Sequence, residues 1–230
     1  MTAPKRLIVA LDTVDPVQAQ SWAQAVGAHA GLLKLGLEFF AANGPTGYRQ
    51  VTGAPIFLDL KLHDIPNTVA GAVRAVLPLQ PRMLTIHAAG GAAMIQAARQ
   101  AAETAGTVRP IILAVTVLTS LDAAALAAIG VQASPVEQVL RLGRLAVEAG
   151  ADGLVCSPQE VAMLRQALGA QVKLVVPGIR PAGADTGDQA RVMTPHEAVA
   201  AGADWIVVGR PITQAADPGA AAAAIAASIR

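Results

Sequence analysis

What this 230-residue chain has little of narrows its chemistry first. A single cysteine, Cys156, excludes an internal disulfide and a cysteine-based zinc cluster, and fits a reducing compartment. Its setting in Gly153-Leu154-Val155-Cys156 reads as buried strand filler. Aromatic residues make up only 3%, leaving few platforms on which nucleic-acid bases could stack. Charged residues make up 14%, below the usual quarter, and a net charge of +1 supplies no field for a polyanion. No nucleic acid polymer is therefore expected as a partner. No apolar run is long enough to span a bilayer, and Met1-Thr2-Ala3-Pro4-Lys5-Arg6 leads into only a short one. No membrane association and a cytoplasmic location are expected. With 53% hydrophobic residues, many surfaces must be covered by neighbouring elements or by a second subunit, which favours an oligomer.

What is present is an alternation. Short β-branched or leucine-rich runs are separated by Ala-rich segments of helical length, the pattern of parallel strands joined by helices. The strand candidates are Leu7–Leu11, Gly31–Leu35, Ile56–Lys61, Met83–His87, Pro110–Leu118, Gly153–Cys156, Val172–Val176 and Trp205–Val208. Helices are expected from Pro16 to Val26, in a broken region from Glu38 to Val51, and from Asn67 to Leu77. Others are expected over Ala92–Thr104, Leu121–Gly130, Pro135–Ala149, Pro158–Leu168 and from about Asp217. No linker or composition break divides the chain. Eight strand-helix units in residues 1–230 predict an α/β fold, a single (β/α)8 TIM barrel domain, with function at the C-terminal ends of its strands.

The richest stretch is Asp59-Leu60-Lys61-Leu62-His63-Asp64-Ile65-Pro66-Asn67-Thr68. A period of two sends Asp59 and Lys61 to one side of the strand. In a poorly hydrated space their Coulomb interaction reaches several kcal/mol; on a solvated turn it would be weak. Other polar residues fall near predicted strand ends: Asp12, Lys34, His87, Thr119 and Arg210. Each has a plain alternative, since Asp12 can cap a helix, Lys34 can snorkel along apolar surface, and His87 suits a structural role. Their joint placement at one barrel mouth is harder to dismiss. Gly209-Arg210-Pro211 at the start of a helix suits a phosphate, whose dianion favours fixed guanidinium and N–H donors. The Gly- and Pro-rich segment from Pro177 to Thr194, with Arg180 and Gln189, is expected to act as a lid.

With those residues assembled, the sequence resembles the orotidine 5'-phosphate decarboxylases. The resemblance rests on Val9-Ala10-Leu11-Asp12, Leu33-Lys34-Leu35-Gly36, the Asp59 to Thr68 stretch, Leu118-Thr119-Ser120, Pro177-Gly178-Ile179-Arg180-Pro181, Asp188-Gln189 and Val208-Gly209-Arg210-Pro211-Ile212-Thr213. It implies decarboxylation of orotidine 5'-phosphate to UMP and carbon dioxide without a cofactor or metal. Lys34, Asp59, Lys61 and Asp64 would form the family's charge network, with Lys61 as proton donor. Asp12, Lys34, Asp64 and Thr68 would hold ribose hydroxyls, Thr119 the pyrimidine, and Arg180, Gln189, Gly209 and Arg210 the phosphate. A homodimer is implied, in which Asp64, Ile65 and Thr68 enter the partner's site. Two other readings compete. A magnesium-dependent relative would need an oxygen ligand where Lys34 stands, and a non-catalytic nucleotide-binding protein would not need Asp59, Lys61 and Asp64 together.

Overall fold

The computed structural model describes residues 5–181 and 193–229. Eight parallel strands close into a barrel in sequence order: β1 (Leu7–Ala10), β2 (Leu32–Gly36), β3 (Ile56–Leu62), β4 (Met83–His87), β5 (Ile111–Val115), β6 (Gly153–Val155), β7 (Lys173–Val176) and β8 (Trp205–Val208). Because side chains alternate across a strand, each strand feeds two cores. Ile8, Ala10, Leu32, Phe57, Met83, Leu113, Val175 and Val207 fill the barrel, while Ile56, Leu58, Leu84, Ile112 and Leu174 belong to the larger core between sheet and helices. Asp59 and Lys61 share the parity of Phe57, which aims both inward above the apolar plug.

The intervening helices are α1 (Pro16–Val26), α2 (Leu37–Gln50), α3 (Pro66–Val76), α4 (Gly91–Glu103), α5 (Ala123–Ala128), α6 (Pro135–Glu148), α7 (Val161–Leu168), α8 (Pro195–Ala200), α9 (Arg210–Thr213) and α10 (Pro218–Ser228). Proline at the first turn and an acceptor side chain just before it set several starts. Asp15 accepts the Val17 N–H at 2.8 Å, and Ser134 forms a capping box with Glu137; such caps contribute about 1 kcal/mol each. The break expected at Asn43-Gly44-Pro45 is a kink inside α2, where Gly44 takes φ 57° and ψ −157°. Helix α8 went unassigned from the sequence, although Thr194 and Glu197 carry the Ser/Thr-x-x-Glu capping signature that marks its start.

Strand five is shorter than the expected Pro110–Leu118. Its neighbour β6 has only three residues, and the ladder ends where the Thr116 N–H and hydroxyl both donate to the Val155 carbonyl, at 3.4 and 3.3 Å. Thr119 consequently lies in the turn beyond the strand. Lys34 likewise sits inside β2 rather than at its end.

At the opposite, N-terminal face of the barrel, two of the sequence's three Ala-Gly-Ala-Asp stretches, those ending at Asp152 and Asp204, do the same thing. Asp152 accepts the Ile112 N–H at 2.8 Å and pairs with Arg109 at 2.8 Å and Arg99 at 2.6 Å. Asp204 accepts the Leu174 N–H at 2.9 Å and pairs with Arg165 at 2.7 Å. Each aspartate thereby ties the base of one strand to its neighbour, β6 to β5 and β8 to β7.

Candidate active site

A bulge in β3 builds the site. Leu58 pairs with Leu84 and Leu62 with Ile86, so Asp59, Leu60 and Lys61 face Thr85 alone across the β3–β4 ladder. Extra residues on one strand bend it and re-aim its side chains. The bend requires φ 49° at Lys61, a left-handed backbone that Gln80 is the only other non-glycine described residue to share. Such a conformation costs on the order of 1–3 kcal/mol and persists where the surroundings impose it.

The imposed geometry is an alternating row of charge. Lys61 Nζ lies 2.8 Å from Asp59 Oδ2; Lys34 Nζ lies 3.8 Å from the same oxygen and 3.0 Å from Asp12 Oδ1. Lys34 and Asp59 are nearly enclosed, with side chains 12% and 11% exposed, whereas Lys61 is 35% exposed at the mouth. Burial by itself would raise the Asp59 carboxyl, but the charges of Lys34 and Lys61 and hydrogen bonds from Lys61 and Thr85 outweigh it and hold it below the usual carboxylate range. Asp59 is therefore an anion at neutral pH.

These charges stand on the rim of a cavity of about 220 Å³, floored by Phe57, Val115, Val117, Val155 and Val207 and walled by Thr119, Cys156 and Pro177. An apolar floor under paired ions is a place where electrostatic terms are weakly screened. Burial pushes the Cys156 thiol up, with the charge of Glu160 adding to it, so the cysteine is an inert wall. His87 packs against His63 at 5.3 Å between ring centroids. Burial, then the His63 and Lys61 charges, push His87 down, with Asp59 opposing, and it is neutral at pH 7. A larger hollow of about 510 Å³ lies on the outer wall between α4 and α6, where the charged groups are the solvated Arg141, Arg144 and Glu148.

The structure thus brings together Asp12, Lys34, Asp59 and Lys61, with Thr119 on the same cavity. Gly209 adjoins them: a Cβ at that position would lie 3.5 Å from Asp12 Oδ2. Arg210 follows at the exposed start of α9. Arg180 is buried, its guanidinium donating to the Ile179 carbonyl at 3.0 Å, and a bridge between Ile179 and Met193 ties the two ends of the proposed lid. Gln189 and most of that lid lie outside the described residues. Asp64, Ile65 and Thr68 are exposed and stand apart from the row; the Asp64 carboxylate accepts the Ile65 N–H at 2.6 Å and makes no ion pair with a described residue. Reading the sequence missed Thr85 and the valine floor. Thr85 was legible in principle, being the polar residue that shares the parity of His87 in Met83-Leu84-Thr85-Ile86-His87.

Residues 5–225 match the pattern of the "Orotidine 5'-phosphate decarboxylase / HUMPS family". The orotidine 5'-phosphate decarboxylase of Gluconobacter oxydans is 58% identical, over 98% of this chain and 97% of that protein, and that of Thermobifida fusca is 57% identical over 100% and 97%. Among solved structures, orotidine 5'-phosphate decarboxylase from Lactobacillus acidophilus superposes with a TM-score of 0.87 at 39% identity, covering 98% of this chain and 99% of that one. At this identity and coverage, and with the match running through every strand of the barrel, the chain belongs to the orotidine 5'-phosphate decarboxylase / HUMPS family.

Proposed function

We propose that the chain, working as one barrel domain in the cytoplasm, decarboxylates orotidine 5'-phosphate to UMP and carbon dioxide in pyrimidine synthesis. The observation that carries this is the Lys61 ammonium, fixed 2.8 Å from a buried carboxylate and facing a cavity with an apolar floor. The bond from C6 to the carboxylate breaks, carbon dioxide leaves, and the electron pair stays on a ring carbon with no adjacent carbonyl placed to delocalise it. An ammonium already in position stabilises that charge without reorganising. Its proton then moves to C6, leaving a neutral amine that solvent reprotonates. Asp59 holds Lys61 and adjoins the departing carboxylate. The reaction so written draws on the chain's own side chains and needs no cofactor.

Substrate contacts are carried over from the family resemblance: Asp12 and Lys34 meet ribose hydroxyls, Thr119 the pyrimidine, and Arg180, Gln189, Gly209 and Arg210 the phosphate. A second protomer supplies Asp64, Ile65 and Thr68. The 66% exposure of Ile65 beside an Asp64 that stands outside its own chain's row supports this assignment. In the competing magnesium-dependent chemistry an oxygen ligand is wanted where the Lys34 ammonium sits between Asp12 and Asp59.

The test is the absorbance change as purified protein consumes orotidine 5'-phosphate in chelator-treated buffer. Turnover is expected; none, or turnover only after magnesium is restored, overturns the proposal. Mixing Asp64→Ala chains with Lys61→Ala chains is expected to regenerate activity through one intact shared site. No recovery after demonstrated subunit exchange would place Asp64 in its own chain's site.

A further inference from the structure

Thr85 is fully buried at the middle of β4. Its hydroxyl donates to Asp59 Oδ1 at 2.8 Å and accepts the Lys61 backbone N–H at 2.9 Å. The direction of both bonds is forced: an amide N–H only donates and an ionised carboxylate only accepts, so the group between them must do both. A hydroxyl does this with one atom. The branched Cβ narrows its choice of rotamer, and the residue lies below the lining of the cavity, touching the two groups that matter without reaching the space a substrate would fill.

We infer that Thr85 is a positioning residue for the proton donor, its hydroxyl clamping the β3 bulge so that the Lys61 backbone is held left-handed and its ammonium stands over the cavity beside Asp59. Three residues of β3 share one partner on β4, and the ladder alone gives no reason for the extra length to stay bulged. A slip of one residue would turn Lys61 to the other face. The hydroxyl bonds the backbone of one charged residue and the side chain of the other, joining the two ends of the bulge. Removing it leaves the Lys61 N–H and Asp59 Oδ1 buried without this partner, and the strained φ loses what imposes it.

This inference rests on the reading of Lys61 as donor, and its test separates the two. In the full-length protein, Thr85→Val removes the hydroxyl at nearly constant shape, and Thr85→Ser keeps it. Competent sites are counted by UMP titration so that misfolded chains do not enter kcat. Thr85→Val is expected to lower kcat per site by about 10- to 100-fold, the scale seen for groups that orient others, with KM within about threefold. Its acid limb of activity is expected to move toward neutral pH as Asp59 loses a hydrogen bond. Thr85→Ser is expected to stay within about threefold of the unaltered protein. If Thr85→Val does not fold, Thr85→Ala against Thr85→Ser isolates the same oxygen. A kcat unchanged without the hydroxyl, or a serine variant as impaired as the valine one, overturns the inference. Amide exchange at Lys61 reads the clamp without catalysis: about tenfold or greater loss of protection is expected in Thr85→Val, and none would overturn it. An unaltered protein that leaves orotidine 5'-phosphate intact defeats the functional proposal instead.

Discussion

Each end of this barrel sets an aspartate among cations, and the two ends choose different cations. At the base, Asp152 meets the guanidinium groups of Arg99 and Arg109 and the Ile112 N–H. At the mouth, Asp59 meets the ammonium groups of Lys61 and Lys34 and the Thr85 hydroxyl. Guanidinium is planar, forked and never deprotonated in proteins, which suits a permanent tie between strands. An ammonium is a compact charge that can give up a proton. The backbones differ as well, since Lys61 is held at positive φ and none of the three base residues is. Similar charge pairing therefore serves cohesion at one end and, on the function proposed above, chemistry at the other.

The contrast is broken most severely by exchanging what each end loses. Lys61→Ala is expected to lower kcat by about 10³-fold or more, the scale of removing a preorganised charge-stabilising donor, while thermal unfolding stays within a few degrees. Near-normal turnover would remove Lys61 as donor. Arg210→Ala comes next. Losing a charge-assisted contact worth about 1.5–3 kcal/mol should reduce kcat/KM by roughly 10- to 100-fold for orotidine 5'-phosphate and leave the slow reaction of orotidine, which has no phosphate, unchanged. An equal loss on both substrates would show that Arg210 does not act through the phosphate.

Asp152→Ala should do the reverse of Lys61→Ala. It strands two arginines, but they keep 25% and 27% of their side-chain surface exposed, so solvent offsets part of the usual 3–5 kcal/mol cost of breaking a buried pair. A loss of about 2–3 kcal/mol remains, equivalent to roughly 5–10 °C in melting temperature for a chain of this size, with kcat per folded site unaltered. A large fall in kcat with little change in melting would mean that the two ends are coupled.

The barrel was legible because its evidence is periodic: eight short apolar runs alternating with helical segments leave few other folds, and the parity of Phe57, Asp59 and Lys61 already aims both charges inward. Local signals placed the start of α1 at Pro16 and the kink at Gly44. The bulge was not legible. Nothing in Asp59-Leu60-Lys61 announces that all three share Thr85, because register belongs to two strands at once, and the responsible residue lies 24 positions from Lys61. The end of β5 was misplaced for the same reason, being set by the length of β6. Asp64 is different again: its surroundings in one chain do not define its role, which on the present proposal is completed by another.

The smallest expected effect is in acid. At the base, burial would raise the Asp152 carboxyl, but the hydrogen bond and charge of Arg109, the Ile112 N–H and the Arg99 charge outweigh it, and like Asp59 it is held below the usual carboxylate range. With a folded pKa below the unfolded value of about 3.9, the unfolded chain binds protons first as pH falls. Each carboxylate's contribution to stability is therefore complete above that value and is lost as pH drops through the lowered folded pKa. Folding free energy should decline in that acid window, and Asp152→Asn should flatten the decline while leaving neutral-pH activity intact. Asp59→Asn should flatten it too but remove activity at every pH, because at the mouth the same charge also orients Lys61. Denaturant unfolding from pH 2 to 7 measures both slopes. If Asp152→Asn leaves the slope unchanged, the base staple is not held by ionised Asp152; if Asp59→Asn retains turnover, the mouth differs from the base in nothing but position.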